Sequence, residues 1–186
     1  DIDNYASFGD NKDILQWYDE LVSGAPGLVA YDIDGAMERD GSRSAYRGSL
    51  AYSWDIGDVH FVQLNNYPSF AITGTRGVDF EIRKSLDWLE TDLRTHGAGK
   101  RIIINMHTLD ASGFDSGGCV APCAPGTEGV SERARSSNTA ADYQRFKSIL
   151  TNARTNFAKD QTVVVFAGHI HWWAGFDRNF KAMGAA

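Results

Sequence analysis

Two apolar stretches predict strands that lie side by side in a parallel sheet. Residues 163–167 hold four strongly β-favouring apolar residues in a row, which is typical of a strand buried on both faces. Residues 102–106 form a second such run. A helical pattern precedes each run, so we expect the two strands to be parallel, each fed by a helix.

Three stretches carry apolar residues at helical spacing and predict helices. They cover 10–22, with Asp10 as a possible N-cap, about 80–95, with Gly97 as a stop, and about 139–153. The residues predicted to face the core are Ile14, Trp17, Tyr18 and Leu21 in the first helix, Ile82, Leu86, Leu89 and Leu93 in the second, and Tyr143, Phe146 and Leu150 in the third.

Strict alternation of apolar and polar residues over 49–56 predicts a half-buried strand. A turn at 55–58 leads into a more fully buried strand at 59–64, so we expect a hairpin. Residues 23–48 are expected to be irregular. A long loop at 108–138 follows His107, and we place it beside the site because such loops tend to be functional. The element order predicts a single α/β domain over 1–186.

Composition excludes some functions. The net charge of −6 and the scattered Lys and Arg residues argue against coating nucleic acid or binding an anionic membrane. No apolar stretch reaches the length of a transmembrane helix, so no membrane span is expected.

Both predicted parallel strands lead directly into histidine. His107 follows 102–106, and Gly168-His169-Ile170-His171 follows 163–167. Ligands bind just past the carboxyl ends of strands in open α/β sheets, and neutral imidazole is a good ligand for a borderline metal. His107 alone favours a hydrogen-bonded core residue, whereas the closely spaced pair favours a metal site.

The other two histidines are interpreted as structural residues. His60 lies at a predicted strand start, at the opposite end from such a site. His96 lies at a helix end, where a cation complements the helix dipole.

The ordered set of motifs resembles the later part of the calcineurin-like metallophosphoesterases. The resemblance rests on Asn105-Met106-His107, on Gly168-His169-Ile170-His171, on the hairpin segment 52–61 and on the helix segment 86–90. It spans about 48–175. It implies a four-layer α/β sandwich, with two mixed sheets flanked by helices, of which this chain is the incomplete C-terminal part.

The resemblance also implies a function and a site. It implies hydrolysis of a small phosphorylated substrate, a monoester or a diester, by a hydroxide that bridges two divalent metal ions of the Mn, Fe or Zn class. The metal ligands carried over by position are His107, His169 and His171.

The family's earlier motifs are not matched. These are Asp-x-His, Gly-Asp-x-x-Asp and Gly-Asn-His-Asp/Glu, and the chain contains no Asn-His dipeptide. Residues 9–13 and 58–60 fit two of the motifs in letters only, in the reverse of the family's order. We therefore expect Asp1 to continue such a motif from an upstream N-terminal half.

Two functions follow from this departure. In the first, the chain is one part of a metal-dependent phosphoesterase and acts together with the upstream half. The alternative is a non-catalytic binding or scaffold module of the same fold with a residual single-metal site. A sheet without its first strands also leaves an open apolar edge, so we expect the chain to be insoluble alone.

Three smaller features keep alternative interpretations. Cys119 and Cys123 are a short disulfide, which favours an extracellular or periplasmic protein, or two loop thiols, or least readily metal ligands. Trp172 and Trp173 either line a substrate pocket or pack in the core. The turn at 65–67 either contacts substrate or is a plain turn.

Overall fold

A computed structural model describes Tyr18 and residues 20–33, 46–65, 68–69, 71–74, 80–106, 140–167, 175–176 and 182–183. These residues form a mixed α/β fold. The strands are β1 Leu28–Ile33, β2 Tyr46–Ile56, β3 Val59–Gln63, β4 Ile72–Gly74, β5 Phe80–Ile82, β6 Arg101–Met106, β7 Val163–Ala167, β8 Gly175–Phe176 and β9 Ala182–Met183. The helices are α1 Leu86–Thr95 and α2 Ala140–Asn156, followed by a 3-10 turn at Lys159–Gln161.

Seven of the strands form one mixed sheet. Its order is β4, β5, β2, β3, β6, β7, and β1 pairs with β2 outside this path. Strands β3, β6 and β7 are neighbours and mutually parallel. The predicted parallel pairing of the two apolar strands and the predicted α/β class are therefore confirmed.

The predicted hairpin is also confirmed. Strands β2 and β3 pair antiparallel from Ile56 with Val59 back to Tyr52 with Gln63, which leaves a two-residue turn at 57–58. Gly57 opens this turn with φ of 61°, a conformation that glycine adopts without steric cost. The hairpin fixes which residues of β2 and β3 face each other.

Two of the predicted boundaries are wrong. The stretch 23–48, expected to be irregular, contains β1, which gains its hydrogen bonds from β2 rather than from a pattern of its own. The predicted helix at 80–95 begins only at Leu86, because Phe80–Ile82 pairs with β2 and β4 instead. Of the predicted helix at 10–22, the described residues Tyr18 and 20–22 are helical, and the helix continues to residue 24.

Both labelled helices cover the same face of the sheet. The sheet presents small and aliphatic side chains to them, and α1 and α2 supply the leucines and aromatic residues that fill the layer between. The fully buried members of this core include Ala51, Val62, Ile102 and Ile104 from the sheet, Leu86, Leu89 and Leu93 from α1, and Phe146, Leu150 and Ala153 from α2. The predicted inward residues Ile82 and Tyr143 are buried as well.

The burial of side chains along β2 departs from the strict alternation that the sequence predicted for 49–56. Ser49, Leu50 and Ala51 are all buried, because Leu50 takes φ of 59° and the pairing with β1 shifts there. After this bulge, Ala51 and Ser53 face the helices, whereas Ile56 is 62% exposed. The left-handed backbone conformation of Leu50 therefore places the larger apolar residues that follow it in β2 on the other face of the sheet.

The second face of the sheet carries a row of apolar side chains in register. Trp54 pairs with Phe61, Phe61 with Ile103, and Ile103 with Val164, across four adjacent strands. The rings of Trp54 and Phe61 are stacked, with centroids 5.2 Å apart. On the same face, Phe166 is 57% exposed, so the prediction that β7 is buried on both faces is wrong.

Candidate functional site

The carboxyl ends of three parallel strands lie next to each other at one edge of the sheet. Asn105 pairs with Gln63 on one side and with Phe166 on the other, and Met106 pairs with Ala167. The backbone N–H of Leu64 donates to the Asn105 carbonyl over 2.8 Å, which extends the pairing one residue past β3. This edge is where open α/β sheets place their ligands.

The predicted metal ligands His107, His169 and His171 lie outside the described residues. The described strands end shortly before them: β6 ends at Met106, directly before His107, and β7 at Ala167, two residues before His169. Those two ends are paired in register. Among the residues that the structure describes, no group of three or more His, Cys, Asp or Glu side chains is arranged to hold a metal ion.

Of the other residues that the sequence placed near this site, one is described and the rest are not. Asn65, two residues past the end of β3, is buried, whereas Asn66 and Tyr67 lie outside the described residues. So do the long loop at 108–138, the two cysteines Cys119 and Cys123, and the pair Trp172 and Trp173. The alternatives for these residues remain predictions.

A buried cluster of charged side chains lies at the opposite edge, where β3 and β6 begin. His60 has a fully buried side chain, and each of its ring nitrogens contacts a carboxylate. Nδ1 lies 2.8 Å from Oδ1 of Asp55, its partner across the hairpin. Nε2 lies 2.9 Å from Oδ2 of Asp92, which is fully buried on α1.

Further donors satisfy the remaining carboxylate oxygens. Lys100 donates through Nζ to Oδ2 of Asp55 over 2.6 Å, and the hydroxyl of Ser53 donates to Oδ1 of Asp92 over 2.8 Å. Burial lowers the pKa of His60, but the hydrogen bonds and charges of Asp92 and Asp55 outweigh it and raise this pKa above its ordinary value. Burial raises the pKa of Asp55, yet Lys100 and His60 together hold it below its usual range.

Sequence reasoning placed His60 correctly but missed its partners. It lies at a strand start, at the opposite edge from the predicted site, and pairs with Ile102 of β6. Two signals were present: a two-residue turn sets Asp55 across from His60, and Asp92 lies beside Leu93 on the apolar face of α1. His96 is half-buried at the end of α1.

None of the described helices, in the ranges given above, is both long and apolar enough to cross a membrane. Comparison with known protein families, curated proteins and solved structures gives no match to this chain.

Proposed function

We propose that this chain is the later part of a metal-dependent phosphoesterase of the calcineurin-like type. In this proposal it supplies His107, His169 and His171 to a centre of two divalent ions that hydrolyses a small phosphomonoester or diester. The remaining ligands come from an upstream segment of the same protein. The proposal takes its chemistry from the sequence motifs and its support from the described sheet.

The observation that carries the proposal is the shared end of β6 and β7. Met106 and Ala167 are paired, so the segments that begin with His107 and with Gly168 are attached to neighbouring points at the same end of the sheet. In the proposal, these segments bring the three histidines to a common metal centre. Strands ending at opposite edges would have argued against the proposal.

The donor set fits the metal class. Imidazole suits Zn and Fe ions, and three histidines are a set that a zinc ion accepts. When bound, two such ions supply a hydroxide nucleophile near neutral pH and stabilise the charge that develops on a phosphoryl group. The chain's own contribution is to hold three imidazoles at one rigid sheet edge.

The four-layer architecture is supported by the second face of the sheet. Two β-sheets pack face to face through apolar side chains about 10 Å apart. Helices α1 and α2 cover one face, and the other presents the row Trp54, Phe61, Ile103 and Val164. We propose that a second sheet, built largely from the upstream segment, covers this row.

The test uses the full-length protein, purified with its metal. We expect bound divalent metal and hydrolysis of an aryl phosphate or a bis-aryl phosphate. Alanine at His107, His169 or His171 should each reduce turnover by about a hundredfold or more, since a catalytic metal contributes several kcal/mol and 1.36 kcal/mol is tenfold in rate. Metal content, measured by elemental analysis, should fall in the same variants.

His96→Ala is the matched control, because His96 lies at the end of α1 and outside the proposed site. It should leave both metal content and turnover unchanged. One metal ion per chain without turnover would favour the binding or scaffold module instead. Neither metal nor turnover in the full-length protein would overturn both functions.

A further inference from the structure

The hydrogen-bond geometry around His60 restricts where its protons lie. A carboxylate oxygen accepts hydrogen bonds and donates none, and a neutral imidazole has one N–H only. Both ring nitrogens of His60 nevertheless lie within 3 Å of carboxylate oxygens, at 2.8 Å and 2.9 Å. Either the ring carries two protons, or one of the aspartates is protonated.

The other contacts favour the doubly protonated ring. Lys100 donates to Asp55, where its positive charge favours the ionised carboxyl group, and Ser53 donates to Asp92, which accepts on the oxygen that does not face His60. Two cations and two anions then form a neutral group, in which each buried charge has a partner. Ile102, the neighbour of His60 on β6, is apolar and adds no charge.

We propose that His60 is held as a buried imidazolium whose two ion pairs join the β2–β3 hairpin to helix α1. Loss of its proton removes one of these contacts and destabilises the packing of the hairpin against α1. Asp55 belongs to the hairpin and Asp92 to α1, so the ring bridges two elements that are far apart in sequence. A neutral ring keeps only one of the two hydrogen bonds and leaves a buried carboxylate without its counter-charge.

The His60 cluster, formed by His60 with Asp55, Asp92 and Lys100, makes the stability of this part of the fold depend on pH. It does not depend on the proposed hydrolase site, because it lies where β3 and β6 begin rather than where they end. The folded-state pKa of His60 is above its unfolded value, so its stabilising effect is complete below about 6.5 and is lost as pH rises through the folded pKa.

The direct test is nitrogen-15 NMR of the histidine rings in the full-length protein. At about pH 7, just above the ordinary histidine pKa of about 6.5, the His60 ring should still be largely protonated on both nitrogens. The His60 ring is assigned through its own backbone on β3, so the test does not require any variant to fold. A His60 ring that carries one proton at that pH would overturn the proposal.

A second measurement tests whether the hairpin is destabilised when His60 loses its proton. Amide hydrogen exchange of β2 and β3 should accelerate, once pH passes the His60 pKa, by more than the intrinsic base-catalysed increase. Amides of α2, which contributes no side chain to the His60 cluster, should follow the intrinsic increase alone. His60→Gln should remove the extra acceleration, and equal pH dependence in the hairpin and α2 of the unaltered protein would overturn this part.

Discussion

At the scale of single residues, Gly48 lies where the backbones of β1 and β2 come close together. A Cβ atom at this position would lie 2.2 Å from the backbone carbonyl oxygen of Asp32. Backbone atoms of a paired strand cannot move aside as a flexible side chain can. Gly48→Ala should therefore lower the free energy of unfolding by about 1–3 kcal/mol, measured by urea denaturation.

Gly24→Ala is the matched control for that substitution. Gly24 is in the described helical segment near the start of the chain, and no atom lies within 4 Å of a Cβ built there. Alanine has the higher helix propensity, so this variant should be unchanged or more stable by up to about 1 kcal/mol. Equal stability of the two variants would contradict the close approach at Gly48.

Single residues also show where sequence reasoning succeeds and where it stops. The periodicity of α1 and α2 identifies Leu89, Phe146 and Leu150 as core residues, because one helix face meets one sheet face. It does not identify the His60 cluster, since the partners of His60 come from a hairpin and from a helix thirty-odd residues away. The apolar periodicity of one element does not specify which polar residues of other elements it will contact.

At the scale of elements, the hairpin and α1 are joined by the same cluster, and Asp55 is its more accessible acid. Its pKa is lowered in the folded state, so its contribution to stability is present above about 3.8 and is lost as pH falls through the folded pKa. Asp55→Asn should cost about 1–3 kcal/mol near pH 6, because it removes charge-assisted hydrogen bonds from His60 and Lys100. The cost should shrink in acid, as followed by urea denaturation at several pH values.

Asp58→Asn is a control on the same hairpin. Asp58 pairs with Arg101 and Lys159 at the surface, where solvent screens the charges. Its replacement should change stability much less than that of Asp55 near pH 6. An Asp55 variant with an equally small effect would mean that the buried hydrogen bonds contribute little.

Elements were predicted well where the pattern is long and poorly where pairing decides. The hairpin strands β2 and β3 and the helices α1 and α2 follow from periodicity, and β6 and β7 follow from continuous apolar runs. Strands β1 and β5 do not, because three to six residues become a strand only when β2 supplies their hydrogen bonds. For the same reason, residues 80–82, which the sequence predicted as the start of a helix, form strand β5.

At the scale of the whole molecule, the two faces of the sheet differ sharply. Helices cover one face, whereas on the other Val164 is 37% and Phe166 is 57% exposed. The chain on its own should self-associate through this second face, which light scattering would detect. Replacing Val164 and Phe166 by Lys should reduce the association while leaving the thermal unfolding temperature nearly unchanged.

Val165→Lys provides the contrast on the same strand. Val165 packs against the core beneath the helices, so a lysine there should lower the unfolding temperature without reducing self-association. If a second sheet covers this face in the full-length protein, as proposed above, the lysines at 164 and 166 should be destabilising there. A chain of residues 1–186 that is monodisperse and melts cooperatively would contradict self-association through this face.

The candidate site could be predicted only as far as strand order. The two apolar runs, each fed by a helix, were enough to predict that β6 and β7 are parallel, and the register places Met106 beside Ala167. The positions of His107, His169 and His171 depend on loops whose conformation no periodicity encodes. The second sheet of the sandwich is beyond prediction from this chain, because its residues are proposed to lie upstream.

The parallel pairing of β6 with β7 also has a consequence for the time course of folding. The β2–β3 hairpin closes a two-residue turn, a step of microseconds, whereas β6 reaches β7 only after a long intervening segment has been closed. Non-local parallel pairings are slow to form because loop entropy is lost before contacts repay it. The edge proposed to hold metal is therefore among the last parts of the molecule to assemble, and the nascent chain is open to misassociation until it does.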